Sequence, residues 1–182
     1  MQQLLVGAAI ELLIERGWAA TTAVAVCERA GCTRGALVHH YRSLSALLAH
    51  ALETIYADFA AMRDDAPTDI VDGLDRMWAA MSDRRFKAVL EAWSAAGNDA
   101  ELAVEIAPAI ERFATLMSIG DPTHPEAASS SEVASFVLMA REAMLGLALG
   151  RSTNGGVPLR HESTVLDRLR TDAAQLDAGR AS

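Results

Sequence analysis

Residues 21–48 read TTAVAVCERAGCTRGALVHHYRSLSALL, which is two short helical patterns separated by Gly31. Thr22 is placed to cap the first helix, because a threonine before a helix accepts a hydrogen bond from its first turn. Gly31 stands where that helix should end, since glycine enters a left-handed turn without steric cost. Thr33 then caps a second helix with Thr, Arg and His on its first turns. This order is typical of a helix-turn-helix that reads DNA.

The same stretch resembles the N-terminal domain of the TetR family of bacterial transcriptional regulators. Its matching positions are Val26, Cys27, Ala30, Gly31, Cys32, Thr33, Gly35, Leu37, His40, Tyr41 and Leu47. The preceding helix resembles the family at Leu5, Ala8, Ala9, Leu13, Glu15, Arg16, Gly17 and Trp18. The resemblance implies a homodimeric regulator, expected to be a repressor, that binds a near-palindromic DNA operator. A small-molecule effector bound in the helical body would release it.

Eight residues are candidates for contact with DNA: Thr22, Thr33, Arg34, Gly35, Ala36, Val38, His39 and His40. Arg34 is suited to a bidentate contact with guanine, although an exposed surface arginine would look the same in the sequence. Thr33 lies at a helix N-terminus, where backbone amides meet phosphate. His40 matches a position at which the family contacts phosphate. Val38 replaces the family's tyrosine and offers only apolar contact.

Charge favours this region as the DNA-binding one, but weakly. Residues 1–50 hold four arginines against three glutamates, a net charge of +1, and the remaining 132 residues carry 12 basic against 21 acidic side chains, a net charge of −9. Non-specific affinity for DNA comes mainly from basic side chains that neutralise phosphates. Together with Val24, Val38 and Leu44, which replace polar family residues, this leaves an alternative open: a helical dimer of the same ancestry that binds a small molecule or protein, with weak or no DNA binding.

Composition and periodicity predict an all-α globular protein. Of the 182 residues, 51% are hydrophobic and 22% charged, and helical spacing with turn signals indicates about nine helices and no strands. We expect a three-helix DNA-binding domain at residues 1–48, followed at 49–182 by a helical bundle for ligand binding and dimerisation. No apolar run approaches the roughly 20 residues of a membrane span, and no signal peptide is visible. A cytoplasmic location is expected.

Predicted helices 8 and 9, at about 131–151 and 163–176, are candidates for the dimer interface. Helix 8 has apolar residues on two faces and therefore needs two packing partners. A four-helix, two-fold interface would satisfy this need, and the family resemblance implies the same arrangement. A monomer with a thick core is the alternative. The candidate interface residues are Leu138, Leu145, Leu149, Leu166, Leu169 and Leu176.

Large, soft apolar side chains in helices 5 to 8 are candidates for a mainly apolar effector pocket. Methionine and aromatic side chains adapt to varied ligands, although each of them more often serves as core. The resemblance implies an effector cavity in this part of the chain. The candidates are Met77, Trp78, Met81, Trp93, Phe113, Met117, Phe136 and Met139.

No pattern of catalytic or metal-binding residues is recognisable, so an enzyme is not expected. The five histidines form no recognisable constellation with a serine or cysteine nucleophile, no glycine-rich phosphate loop occurs, and no cofactor is expected. His39 and His40 are adjacent, which on a helix turns their side chains about 100° apart. Cys27 and Cys32 are expected to face differently and to be buried structural thiols, with redox sensing as the alternative.

Overall fold

The structure is a computed structural model that describes residues 1–61, 67–116 and 132–180. Within these residues all regular structure is helical, as predicted, and no strand occurs. The described helices are α1 (Gln2–Arg16), α2 (Ala23–Ala30), α3 (Arg34–His40), α4 (Leu44–Ala61), α5 (Ile70–Ser82), α6 (Phe86–Ala96), α7 (Ala100–Leu116), α8 (Glu132–Thr153) and α9 (Glu162–Arg180).

Side-chain caps explain where several helices begin. The sequence predicts Ser43 as the cap of the fourth helix, and its hydroxyl accepts a hydrogen bond from Ala46 N at 3.1 Å, which confirms this cap. The sequence predicts that Thr68 opens a fifth helix over about Asp69 to Ser82. Helix α5 begins one residue later, because Asp69 is its cap and accepts a hydrogen bond from Asp72 N at 2.8 Å. Helix α7 runs through Pro108 as one element, so the proline does not split it.

The helices form two compact units. The first contains α1 to α4, α6 and most of α7, and the second contains α5, α8 and α9. The predicted domain boundary between residues 48 and 49 falls inside α4 and within the first unit. That boundary stays a prediction.

Helix α1 is central to the first unit and packs against α2, α4 and α6. Its leucines Leu5, Leu12 and Leu13 are almost completely buried, and each contributes about 1.5–3 kcal/mol by leaving water. Two polar contacts hold its C-terminal end to α6. Lys87 Nζ donates to the Ile14 carbonyl at 2.7 Å, and Trp18 N donates to Glu91 Oε2 at 2.9 Å.

The second unit is organised around a buried ion pair that joins the end of α8 to the start of α9. Arg151 Nε lies 2.9 Å from Glu162 Oε2, and the same oxygen accepts a hydrogen bond from Leu159 N at 3.2 Å. The guanidinium also lies over the ring of Trp78, 5.4 Å from its centroid. Both α8 and α9 pack against α5, which completes the unit.

Helix α8 is long and apolar enough to cross a membrane by length and composition. A single helix of this kind is weak evidence, because the core helix of a soluble protein passes the same test. Here six of its residues are buried, namely Phe136, Val137, Ala140, Met144, Leu147 and Ala148. We therefore treat α8 as a packing helix of the second unit.

Candidate nucleic-acid interface

The connection between α2 and α3 is a glycine-dependent turn with two complete caps. Thr22 Oγ1 accepts from Ala25 N and Thr33 Oγ1 accepts from Ala36 N, both at 3.2 Å, so both predicted caps are confirmed. Gly31 has φ 64° and ψ 36°, the left-handed conformation that glycine adopts without strain. Its amide donates to the Glu28 carbonyl at 3.3 Å. Backbone and side chains therefore both fix the direction in which α3 leaves the turn.

Helix α3 turns one side to the core and the other to solvent. Leu37 is buried at 4% exposure, whereas Val38 is 67% exposed. The exposed set contains Thr33, Arg34, Gly35, Val38, His39 and His40, with Ala36 half-buried and Thr22 exposed at the start of α2. Seven of the eight predicted DNA-contact residues thus lie together on α3 and its cap. Their contact with bases or phosphates stays a prediction.

The C-terminal end of α3 is anchored from the inside. Tyr41 is buried, as expected for a core residue, and its hydroxyl lies 2.7 Å from Nδ1 of His50 in α4. The neighbouring His39 and His40 rings are edge to face, with centroids 5.2 Å apart. Among the described residues no three His, Cys, Asp or Glu side chains are grouped to hold a metal ion.

Ion pairs reduce the positive charge that the first unit can offer to phosphates. Arg29 Nη2 lies 2.7 Å from Glu15 Oε2, and its Nη1 lies 3.1 Å from Glu11 Oε2. The hydrogen bond from Arg29 lowers the pKa of Glu15, so this carboxylate stays charged and keeps the arginine neutralised. Arg42, just after α3, pairs with Glu105 of α7. In the described part of the chain Arg34 makes no ion pair, which leaves it available at the start of the exposed face.

The two cysteines correct the sequence-based expectation. Cys32 N donates to the Cys27 carbonyl at 3.0 Å across the Gly31 turn. Burial raises the pKa of the Cys27 thiol, and interaction with the Cys32 side chain raises it further. The expectation that the two side chains face differently is therefore wrong. Cys27 is buried as predicted, but Cys32 is only half-buried.

The candidate effector residues are divided between the two units. Met77, Met81 and Phe136 are buried in the second unit, where Trp78 is half-buried and Met139 is exposed. Trp93 and Phe113 belong to the first unit, with ring centroids 5.4 Å apart. Met117 lies outside the described residues.

An aromatic cluster surrounds Phe113 and includes two residues that are not among the candidates. Tyr56 and Phe86 lie 4.8 and 5.5 Å from the Phe113 ring, and Trp93 Nε1 donates to the Tyr56 hydroxyl at 3.2 Å. Burial raises the pKa of Tyr56. In the sequence, Tyr56 and Phe86 are marked only by their position on the apolar faces of their helices. That position does not distinguish the lining of a pocket from ordinary core.

The six candidate interface leucines fall into two groups. On α8, Leu138 and Leu149 are 52% and 53% exposed, and Leu145 between them is half-buried. Gly146 lies on the same exposed side, and no atom lies within 4 Å of the position that a Cβ would take there. On α9, Leu166 and Leu169 are buried within the protomer and Leu176 is half-buried. The role of all six in a dimer stays a prediction.

Comparison with known proteins agrees with this arrangement. The family of bacterial regulatory proteins named tetR matches residues 5–51 of the chain. No curated protein sequence matches significantly. Among solved structures, a putative TetR-family transcriptional regulator from Rhodococcus sp. is 14% identical, with a TM-score of 0.73 over 94% of this chain and 97% of that one.

Two further structures share the fold. A transcriptional regulator from Rhodococcus sp. Rha1 is 21% identical, with a TM-score of 0.69 over 96% of each chain. The transcriptional regulator FadR from Bacillus subtilis, solved in complex with stearoyl-CoA, is 14% identical, with a TM-score of 0.64 over 93% of this chain and 97% of that one. The likeness therefore extends over almost the whole chain and well beyond residues 5–51.

Proposed function

We propose that this chain, whose residues 5–51 match the tetR family and whose fold is similar to that of a TetR-family regulator, is a homodimeric, ligand-responsive transcriptional regulator of the cytoplasm. One observation carries the proposal. The capped turn between α2 and α3 presents a solvent-exposed helix face that contains no acidic side chain and begins with Arg34, which forms no ion pair with any described residue. A face of this composition suits the floor of the major groove, where Arg34 would contact guanine.

Two copies of this face would read two half-sites. In helix-turn-helix dimers the recognition helices enter successive major grooves about 34–36 Å apart, so the operator is a near-palindrome. The exposed stripe of Leu138, Leu145 and Leu149 on α8 supports the dimer, since a second copy would cover these side chains. Binding at a promoter would exclude polymerase, which makes repression the expected sign of regulation.

An effector bound in the helical body would release the operator. The apolar and aromatic side chains at the candidate positions suit a largely apolar small molecule, and the structurally similar FadR is solved with stearoyl-CoA bound. Such a ligand acts only through its different affinities for the two states of the dimer. Our proposal includes no catalytic step.

A second candidate function is a dimer of the same ancestry that binds a small molecule or protein but hardly binds DNA. The ion pairs of Arg29 and Arg42 favour it, because both arginines are neutralised inside the first unit. The exposed Val38, which cannot donate a hydrogen bond, favours it too.

Selection of duplexes from a random DNA pool by the purified protein at moderate salt tests the main proposal. Enrichment of an inverted repeat with half-sites about one helical turn apart would support the dimeric regulator and supply its operator. A folded, dimeric protein that enriches no sequence would favour the second candidate.

Arg34→Ala then tests the recognition face on the enriched operator. Loss of a bidentate base contact should weaken binding by about 1–3 kcal/mol and relax the preference at one base pair. Arg160→Ala removes an exposed arginine from the second unit and is the matched control. Equal affinities of the two variants for the operator would contradict the proposed role of Arg34.

A further inference from the structure

Cys27 and Cys32 lie on either side of the turn between α2 and α3, and a backbone hydrogen bond joins them. The amide of Gly31 donates to the Glu28 carbonyl and the amide of Cys32 donates to the Cys27 carbonyl, at 3.3 and 3.0 Å. These two bonds define a Schellman motif, which is frequently accompanied by a contact between the side chains at the positions of Cys27 and Cys32. Interaction with the Cys32 side chain contributes to the raised pKa of Cys27, as such a contact requires. The turn therefore brings together the only two thiols of the chain.

We propose that this pair is an oxidation site: a peroxide converts Cys27 and Cys32 into an intramolecular disulfide inside the helix-turn-helix. The cytoplasm keeps most thiols reduced, and disulfides that form there are usually transient and regulatory. A pair of adjacent thiols, one of them reachable from solvent, meets the structural requirement for such a reaction.

The unequal environments of the two thiols assign the order of events. Cys27 is 5% exposed, and its raised pKa keeps it a thiol, whereas Cys32 is half-buried and open to solvent. Cys32 as thiolate attacks one oxygen of hydrogen peroxide, the O–O bond breaks, and the departing hydroxide takes up a proton to become water. Cys32 is then a sulfenic acid.

Cys27 resolves this intermediate. Its sulfur attacks Sγ of Cys32, the S–O bond breaks, and the hydroxide leaves with the proton of Cys27 as a second water. The two thiols lose two electrons and two protons in total, and the peroxide is reduced to two waters.

The disulfide should alter the recognition helix, a consequence that rests on the proposed function. The S–S bond of a disulfide is about 2.0 Å long, so the two sulfurs must move closer together than van der Waals contact. Cys32 directly precedes Thr33, the cap of α3, so its displacement moves the start of the DNA-reading face. Oxidation should therefore weaken operator binding, by a factor within the range of about 5 to 150 that is typical of coupled sites.

Thiol counting and peptide mapping of the full-length protein test the oxidation site without any DNA. Arg29 lies between the two cysteines, so trypsin separates them into the peptides 17–29 and 30–34. After stoichiometric hydrogen peroxide we expect a fall from two free thiols to none, and these two peptides joined within one chain. Retention of both thiols, over-oxidation of Cys32 alone, or a disulfide only between chains would overturn the proposal.

Two single-cysteine variants separate the roles of the two thiols, and both should preserve the fold. Cys27→Ala and Cys32→Val introduce the small apolar residues typical of the family at these positions. Cys27→Ala should stop at a sulfenic acid that dimedone traps, and Cys32→Val should not react. A reactive Cys27 in Cys32→Val would contradict the assigned order.

Operator binding by the reduced and oxidised protein tests the regulatory consequence. Binding should weaken on oxidation, recover with dithiothreitol and stay constant in both variants; unchanged affinity of the disulfide form would overturn this consequence. If the disulfide forms but the reduced protein enriches no DNA, the oxidation site stands and the regulator proposal fails.

Discussion

Gly31 is the residue on which the turn between α2 and α3 depends. Its φ of 64° lies in the left-handed region, where a side chain costs about 1–2 kcal/mol. Gly31→Ala should therefore lower the free energy of unfolding by that amount in urea titrations. Gly7→Ala, in the interior of α1 with no neighbour in the way, should raise it by about 0.5–1 kcal/mol. Equal effects of Gly31→Ala and Gly7→Ala on the free energy of unfolding would contradict the dependence of the turn on Gly31.

Val38 is exposed and leaves room for a larger side chain, so we predict that the residue at this position influences the strength of DNA binding. Val38→Tyr restores the residue that is usual in the family at this position and adds a hydroxyl that can donate to DNA. We expect operator binding to tighten by about 0.5–1.5 kcal/mol, the usual net contribution of one hydrogen bond. Val38→Phe adds the ring without the hydroxyl and is the matched control in anisotropy titrations. If Val38→Tyr and Val38→Phe tighten operator binding equally, the gain in affinity comes from apolar contact and not from the hydroxyl.

Among the helices, the junction of α8 and α9 is held by one buried charge pair. Glu162→Ala would leave Arg151 partly buried without its carboxylate and Leu159 N without its acceptor. Loss of one partner of a buried pair costs about 3–5 kcal/mol, and we expect a loss near the lower value, because the side chain of Arg151 is 20% exposed. Thermal and urea unfolding measure this loss in the free energy of unfolding.

The control for this prediction is the surface pair on α9. Arg168 and Asp172 are separated by 2.9 Å, but the arginine side chain is 76% exposed. Exposed pairs of this kind contribute little because solvent screens them, so Arg168→Ala should hardly change the free energy of unfolding. A loss for Glu162→Ala as small as that for Arg168→Ala would show that the pair at the junction is not structural.

For the whole molecule, we predict that the stripe of Leu138, Leu145 and Leu149 on α8 forms the interface between two copies of the chain. Leu149→Glu would place a carboxylate at the proposed interface, and a buried unpaired charge is strongly unfavourable there. We expect the variant to sediment as a monomer at micromolar concentration with an unchanged helical spectrum, because Leu149 is exposed in the protomer. Ala79→Glu, at an exposed position of α5, should remain dimeric. If Leu149→Glu remains dimeric, the interface lies elsewhere on the molecule.

The proposed DNA-binding region, α1 to α3, should depend on the rest of the first unit for its folding. Helix α1 relies on α4 and α6 for its packing, and Lys87 and Glu91 of α6 bind the backbone at its end. A fragment of residues 1–48 loses α6 and most of α4, so we expect it to show little helix and no cooperative unfolding. Cooperative unfolding of this fragment would support the predicted domain boundary at residue 48.

Local features of the chain were predictable because their causes are local. The caps Thr22, Thr33 and Ser43 and the left-handed Gly31 follow from side-chain chemistry within a few residues, and the structure confirms all four. The exposed set on α3 follows from the 3.6-residue period in the same way. Sequence periodicity also separated the helices correctly, with small shifts at their ends such as the start of α5.

Contacts between distant segments required the tertiary structure. Helical period alone does not say which of two apolar faces a neighbouring helix covers, so Leu138 and Leu166 looked equivalent until packing left the first exposed and buried the second. The pairing of Arg42 with Glu105 spans 63 residues and depends on how α7 packs. Even the contact of Cys27 with Cys32 depended on the backbone path of the turn, because five residues along a regular helix would turn the two side chains apart.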